Sequence, residues 1–295
     1  MIALIARAHL TPEASAAVDR LLRENPIDPT LNRFCKDRPT DLMADSATWA
    51  DDARNIEKTG EWHYIDIPLA VNTGAVPESD ALKWCPPLTD GRPGCILTAI
   101  DYEWNILRDG KQTGAARVKA LRYLIHFLGD LSQPLHATDN HDRGGNCTAI
   151  TFFPASNPDS EKPKNLHAIW DYELLARDLA ATKTTQPEYA RKLDESFSAD
   201  WDAWGQSKTD IPGWVWESHK LAGSVAYGDL KPRIPVEPAT AGLADQAGCD
   251  TERDKVAGLH IAIGDEYAAD AIPVIREQLA KAGYRLAGLL NQTFK

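Results

Sequence analysis

The 295-residue chain lacks several features that define common classes of protein. No apolar run approaches the roughly 18 to 20 residues that a membrane-spanning helix needs, so no membrane span is expected. Clusters of Lys and Arg are missing and the formal net charge is −11, which argues against nucleic-acid binding through a basic surface alone. Low-complexity segments and fixed-period repeats are also missing. The simplest interpretation is one domain spanning residues 1–295.

The five cysteines include no CxxC pair, which argues against a zinc site built from cysteine. Cys85 and Cys95 flank a loop rich in Pro and Gly that a disulfide would close, and Cys147 with Cys249 is a second hypothesis. Disulfides favour an oxidising compartment, whereas five reduced, buried cysteines are the alternative. No signal peptide is visible after Met1, so the chain is either cytoplasmic or trimmed at its start.

Apolar periodicity, caps and helix breakers predict a mainly α fold with long loops. The first helix has Thr11 as its N-cap and Pro12 at its first position. Pro134 should end the helix that precedes it. For the residues before Leu10, the sequence predicts only a short apolar turn. The predicted elements are helices at about 11–23, 42–57, 96–109, 114–132, 165–182, 187–205, 212–226 and 253–293, the last broken near Pro273, a short strand at 148–151, and loops at 68–95 and 228–250.

Four of the eight histidines lie in segments that combine imidazoles with carboxylates. In the helix at 114–132, His126 and Asp130 lie one turn apart, on the face opposite a leucine stripe, and His167 and Asp171 repeat this spacing. One such pair is more often a surface ion pair or a hydrogen bond than a metal site. Two pairs, with more ligands nearby, are too many for one ion and predict a multinuclear zinc site suited to phosphate esters. The histidines expected to be structural or on the surface are His9, His141, His219 and His260.

Six segments form a pattern that is more specific than any ligand pair. They are Ser46-Ala-Thr-Trp-Ala-Asp51, His63-Tyr-Ile-Asp66, His126-Phe-Leu-Gly-Asp-Leu-Ser-Gln-Pro-Leu-His136, Gly144-Gly-Asn146, Asn165-Leu-His-Ala-Ile-Trp-Asp171 and Ala282-Gly-Tyr-Arg-Leu-Ala-Gly-Leu-Leu-Asn291. In residues and in order they resemble the zinc-dependent S1/P1 nuclease family. The resemblance implies a single helical domain of the phospholipase C/P1 nuclease type, with at most a short hairpin and a trinuclear zinc cluster in a cleft.

The resemblance also assigns ligands to separate ions. In the family, the third zinc is held by the bridging aspartate that matches Asp130 and by an N-terminal Trp and His. Neither of those two residues has a match in this chain, and His9 aligns with a non-ligand position. Two tightly held zinc ions, with the third weak or absent, are therefore expected. The ligands implied are Asp51, His63, His126 and Asp130 for one zinc, and His136, His167 and Asp171 for a second.

Further residues match the parts of the family site that act on the substrate. Water held between the Asp130-bridged zincs would attack phosphorus in line, and Arg54 would support the charged transition state. Tyr64 would stack on a nucleobase while Asp66 accepts its hydrogen bonds. Because stacking needs an unstacked base, single strands should be preferred over duplex. The implied catalytic residues are Arg54, Asp51 and Asp130.

The resemblance, together with the metal-ligand pattern, implies a zinc-dependent endonuclease that hydrolyses single-stranded DNA and RNA, or nucleotides, to 5′-phosphate products. Whether it also has 3′-nucleotidase activity is left open. A zinc-dependent phospholipase C shares the fold and the cluster, but Tyr64 with Asp66 favours a nucleobase. The other alternative is a metal-binding helical protein with impaired catalysis. No stable protein partner is predicted, and a secreted or periplasmic location is expected.

Overall fold

The protein is described by a computed structural model whose helices account for most of its residues, as predicted. In the part of the chain that the structure describes, no helix combines the length and the apolar character required to cross a bilayer. The structure describes residues 1–31, 33–35, 39–71, 78–153, 164–234, 236–237 and 261–295.

The N-terminal region differs from the prediction in two places. The apolar start forms a short helix rather than only a turn, and the helix predicted at 42–57 is divided in two around Ala47 and Thr48. This break leaves the Ala47 carbonyl outside a regular helix, where it accepts a hydrogen bond from His126 Nδ1 at 2.6 Å. The Thr11 cap is confirmed, since its side chain accepts from Ala14 N at 3.2 Å. The helices are α1 (Ile2–Ala8), α2 (Pro12–Glu24), α3 (Leu42–Ser46) and α4 (Trp49–Glu57).

Two helices form the centre of the largest hydrophobic core. They are α5 (Ile96–Arg108) and α6 (Gly114–Leu131), each within one residue of its predicted bounds. The leucine stripe of α6 is fully buried in this core, so the opposite face is left to carry polar residues. A 3₁₀ turn at Pro134–Ala137 follows, which confirms that Pro134 redirects the chain.

A small sheet lies beside the second hydrophobic core. Its strands have the order β2-β1-β3, where β1 (Ala149–Phe152) pairs antiparallel with β2 (Lys164–Asn165) and parallel with β3 (Ala262–Ile263). The structure therefore contains the predicted strand and one more strand than a hairpin, because the segment before the last helix pairs with the second edge of β1. After β2 come α7 (Leu166–Ala168), a π-helical turn at Ile169–Glu173 and α8 (Leu174–Thr182).

The C-terminal helix begins at Asp265, after a strand at Ala262–Ile263, and is continuous from there. Both the predicted helix before Asp265, as far as it lies in the described residues, and the predicted break near Pro273 are therefore wrong. Pro273 deprives the carbonyl of Ala269 of its helical partner, but both residues are exposed, and water can satisfy that carbonyl. The preceding helical regions are confirmed, with 3₁₀ and π turns where the prediction had regular helix. The helices are α9 (Gln186–Phe197), α10 (Trp201–Trp204), α11 (Ile211–Leu221), extended by a π turn at Ala222–Ala226, and α12 (Asp265–Thr293).

Close contacts at glycine place α1 between α12 and α6. A Cβ atom at Gly283 of α12 would lie 2.6 Å from the Ile5 side chain, and one at Gly129 of α6 would lie 3.2 Å from Ile2 Cδ1. Only glycine allows α12 to approach α1 this closely. The contact brings Ile2 to the edge of the cleft described below.

The predicted disulfide between Cys85 and Cys95 is confirmed, with Cα atoms 5.2 Å apart. Cys147 is also disulfide-bonded. Its predicted partner, Cys249, lies outside the described residues, so that pairing stays a prediction. Parts of the two predicted loops, at 72–77 and at 238–250, lie outside them as well.

Glu103 generates a prediction about stability and pH. It is only 3% exposed on α5, and burial raises its pKa from 4.5 to about 7. An unfolded glutamate ionises near its ordinary pKa, so this residue destabilises the fold progressively as the pH rises from about 5 to 7. At about 1.4 kcal/mol per pH unit, the full cost is roughly 3 kcal/mol. Glu103→Gln should therefore stabilise the protein at pH 8 and change little at pH 5, as measured by urea unfolding. A gain that is equal at both pH values would contradict the burial argument.

Candidate metal centre

Two groups of His and Asp side chains meet at one cleft of about 990 Å³, and all of them except His126 line it. Each group draws its residues from different elements, and within a group the candidate ligand atoms lie within 4.8 Å of one another. Three residues of such composition and spacing are what a divalent metal ion requires. The first group is Asp51 on α4, His63 on the 3₁₀ turn Gly60–His63 and His126 on α6; the second is His136, His167 and Asp171.

The first group is completed by Asp130, one turn after His126 on α6. Asp130 Oδ2 lies 2.9 Å from His63 Nδ1 and 3.0 Å from His126 Nε2, and these two nitrogens are 3.2 Å apart. Asp51 contributes carboxylate oxygens 3.8 Å from His63 Nδ1 and 3.7 Å from His126 Nε2. Ligands at about 2.0 to 2.1 Å from a tetrahedral zinc are separated by roughly 3.3 Å. Asp51, His63 and His126 therefore fit one ion, and Asp130 lies close enough to both imidazoles to be a further ligand.

The second group lies on the other side of Asp130. His136 Nε2 and His167 Nε2 each lie 3.4 Å from an oxygen of Asp171, and the two imidazoles are stacked with centroids 4.9 Å apart. Asp130 Oδ1 lies 3.8 Å from His136 Nδ1, while its Oδ2 contacts the first group. One carboxylate therefore lies between the two groups.

Backbone carbonyls fix three of the four imidazoles. Nδ1 of His126 donates to Ala47 O at 2.6 Å, Nδ1 of His136 to His63 O at 2.9 Å, and Nδ1 of His167 to Gly144 O at 2.7 Å. A carbonyl only accepts, so Nδ1 carries the hydrogen in each case and Nε2 is left for a metal. Nε2 of His136 is buried and has no hydrogen-bond partner, which a metal ion would supply.

The electrostatics of the site favour added positive charge. Burial alone would lower the pKa of His126 and of His136, but the nearby carboxylates, above all Asp130, raise each to about 9. The same contacts hold the pKa of Asp130 well below its ordinary value despite burial, and that of Asp171 is lowered as well. Burial lowers the pKa of His167. The ionised carboxylates thus attract cations, and a divalent ion can take the place of the protons.

The remaining predicted site residues line the same cleft. Arg54 lies one turn after Asp51, with Nη1 3.6 Å from Asp51 Oδ1 and a side chain that is 42% exposed. The hydroxyl of Tyr64 donates to Glu61, and burial raises the pKa of Tyr64, so the phenol stays neutral. Asp66 follows two residues later. The fold therefore brings both candidate metal groups and the candidate substrate residues together.

Some cleft residues were not predicted. Gln133 Nε2 donates to Asp171 Oδ1 at 2.8 Å and so orients a candidate ligand. Phe34 and Tyr172 line the cleft as exposed aromatic rings, and Arg143 lines it as a further cation. Gln133 lies within the His126–His136 segment, so its position in the motif could have indicated a role in the site. For Phe34 and Tyr172 the sequence offers none, because their positions depend on how distant segments pack.

Two histidines expected to be structural have structural contacts. His9 Nε2 pairs with Asp194 Oδ1 at 2.6 Å, and its ring stacks on Trp201. His219 is buried, with Nδ1 bonded to Thr138 Oγ1 at 2.8 Å and Nε2 donating to Val71 O at 3.1 Å. His260 lies outside the described residues.

Fold and site together define a candidate metal-dependent hydrolase, and comparison with known proteins gives its family. A profile of the family described as S1/P1 Nuclease matches residues 1–295. The chain belongs to the S1/P1 nuclease family, which confirms the family and the nuclease class predicted from the sequence.

Individual relatives agree with this assignment. The chain is 29% identical over 279 residues to Nuclease S1 of Aspergillus oryzae, covering 88% of this chain and 83% of the relative. It is 25% identical over 300 residues to Nuclease P1 of Penicillium citrinum, covering 99% and 94%. It is 26% identical over 267 residues to Endonuclease 5 of Arabidopsis thaliana, covering 85% and 78%.

The two-group geometry predicts that the metal ions can be removed separately. His126→Ala should remove the ion of the first group and His167→Ala that of the second, so each variant should keep one metal equivalent fewer than the parent. Metal content after dialysis in metal-free buffer measures this, with His9→Gln as a control imidazole outside the site. Equal metal content in the parent and both variants would show that these residues are not ligands.

Proposed function

We propose that this nuclease is a zinc enzyme that cleaves single-stranded DNA and RNA and leaves 5′ phosphates. The observation that carries the proposal is the pair of His/Asp groups joined by Asp130 in a cleft that also contains Arg54, Tyr64 and Asp66. Four imidazole nitrogens with carboxylates of this kind suit zinc better than calcium or magnesium, which prefer oxygen ligands.

Some residues of the cleft would bind the metal ions, and others would bind the substrate. Bound zinc would lower the pKa of water towards neutrality and would stabilise anionic oxygens of the phosphate ester. Asp51, His63, His126 and Asp130 would hold one ion, and His136, His167 and Asp171 the other. Arg54, half exposed beside Asp51, can place its guanidinium against a phosphate oxygen.

Tyr64 and Asp66 would bind the nucleobase next to the scissile phosphate. The Tyr64 ring lines the cleft one residue after the ligand His63, so a base stacked on it would lie beside the metal ions. Asp66 offers an acceptor to N–H groups on the base edge. A paired and stacked base could not enter, which accounts for a preference for single strands.

We further propose that the protein acts as one domain outside the cytoplasm, in a secreted or periplasmic location. The support is the Cys85–Cys95 disulfide together with the bonded Cys147, because such bonds persist in oxidising compartments.

A substrate comparison tests the function. The purified protein should cleave a single-stranded oligonucleotide much faster than the same sequence as duplex, and a chelator should stop cleavage until zinc is restored. The new ends should carry 5′ phosphates, which a 5′-phosphate-dependent exonuclease detects. A lecithin analogue is the competing substrate, and its cleavage without cleavage of DNA or RNA would favour a phospholipase.

Tyr64 variants test the base site. Tyr64→Ala should raise KM for oligonucleotides by about 5- to 150-fold, since base stacking contributes roughly 1–3 kcal/mol. Tyr64→Phe keeps the ring and should stay close to the parent. Cleavage of a phosphodiester between abasic deoxyribose units, which offers no aromatic ring to stack, should be insensitive to both changes. If Tyr64→Ala slows both substrates equally, its effect is on the fold or the metals and not on base binding.

A further inference from the structure

A loop with unusual backbone conformations carries the carbonyl that orients His167. Four residues between 139 and 146 have positive φ: His141 at 59°, Arg143 at 58°, Gly144 at 59° and Gly145 at 84°. For residues with a side chain, the left-handed conformation costs roughly 1–2 kcal/mol. Such strain persists only where the surroundings over-determine it, and it is concentrated at functional sites.

The loop is packed directly against the candidate ligand. Gly144 O accepts from His167 Nδ1 at 2.7 Å, and His167 N donates to Gly145 O at 3.4 Å. A Cβ atom at Gly144 would lie 2.6 Å from Leu135 O and 3.5 Å from His167 Nδ1, so no other residue fits here without a shift. The position of the Gly144 peptide therefore decides where the His167 imidazole points.

The buried carboxylate of Asp142 accepts hydrogen bonds that fix the position of this peptide. Asp142 is 3% exposed, and its side chain accepts from Gly145 N at 2.9 Å and from the Thr148 hydroxyl. Its main-chain carbonyl accepts from Cys147 N at 2.8 Å. Asp139 supports the same turn, since its Oδ1 accepts from Gly144 N at 3.0 Å and Asp142 N at 3.2 Å.

A tyrosine from a distant element completes the support. Tyr227, at the end of the π turn that follows α11, is fully buried, and its hydroxyl lies 2.8 Å and 2.9 Å from the two carboxylate oxygens of Asp142. Burial beside that carboxylate raises the pKa of Tyr227 well above its ordinary value, so the phenol stays a donor. The second hydrophobic core is thereby connected to the loop.

We propose that Asp142 and Tyr227 are positioning residues that hold His167 in its metal-binding orientation through the Gly144 carbonyl. Neither side chain lines the cleft in the described part of the chain. Their influence on the second metal group is therefore indirect. The inference rests on the ligand role proposed for His167 above, because outer partners of this kind fix the tautomer and direction of a metal-binding imidazole.

The first test measures hydrogen exchange at the His167 imidazole in the absence of metal. In metal-free protein labelled with ¹⁵N-histidine, the Nδ1–H of His167 should exchange slowly with solvent. Asp142→Asn replaces one acceptor oxygen by an NH₂ group, which would face the donors that now bind the carboxylate. Tyr227→Phe removes one of those donors. Both variants should speed this exchange by about tenfold or more, because the hydrogen bond to Gly144 O opens more often.

The second test measures the affinity of each ligand group for zinc. Competition with a zinc chelator should show that the affinity of the second group falls by about 10- to 100-fold in Asp142→Asn, with a smaller loss in Tyr227→Phe. The affinity of the first group should stay close to that of the parent. Tyr189→Phe is the matched control, since Tyr189 on α9 also donates to a buried aspartate, Asp178 on α8, which is paired with Arg276 and not with the loop at 139–146.

The outcomes separate this proposal from the proposed function. Unchanged His167 exchange and unchanged zinc affinity in both variants would overturn it, as would an equal loss in Tyr189→Phe. If Asp142→Asn does not fold, Tyr227→Phe decides with the same two measurements. If the parent protein binds no zinc, the proposed function fails, while the exchange measurement still decides whether Asp142 and Tyr227 position His167.

Discussion

The arrangement of the cleft depends on one buried carboxylate. Asp130 faces His63 and His126 with one oxygen and His136 with the other, so both groups of candidate ligands are organised around the same negative charge. Burying a carboxylate is costly unless it is paired. Here its partners are imidazoles, the groups that a divalent ion would bind, and it raises the pKa of His126 and of His136. α6 must therefore present Asp130 at a fixed depth, and the buried leucine stripe on its opposite face does this.

Irregular backbone supports this centre at three points. The break between α3 and α4 leaves Ala47 O to His126, the turn at His63 provides a carbonyl to His136, and the loop at Gly144 provides one to His167. Regular helices would have used these carbonyls internally. The breaks are therefore what allow three imidazoles to be fixed in one tautomer.

Much of this centre could be predicted from local spacing. His126 with Asp130, and His167 with Asp171, are one helical turn apart, and helix period alone places each pair on one face. The redirection at Pro134 and the disulfide between Cys85 and Cys95 also follow from local chemistry. Local spacing gave the wrong result at Pro273, because tolerance of proline in a helix depends on whether the freed carbonyl reaches water.

Other features depend on packing between distant segments and have no local signal. Three examples involve residues that are far apart in the chain. They are the pairing of β3 with β1, the contact of Tyr227 with Asp142, and the positions of Phe34 and Tyr172 in the cleft. A sequence pattern reports what lies one turn or one strand residue away. It does not report which backbone carbonyl a histidine will meet, and those carbonyls determine the ligand atom.

The net charge of −11 is compatible with a polyanionic substrate because the relevant charges are local. The cleft contains the carboxylates of Asp51, Asp66, Asp130 and Asp171, and two bound divalent ions would balance their negative charges. Arg54 and Arg143 add positive charge at the same place. Acidic groups elsewhere on the surface are screened within about 8–10 Å at physiological salt, whereas charges in the cleft act at contact distance. With the proposed ions bound, the local charge that faces a phosphodiester in the cleft would be positive, although the chain as a whole is acidic.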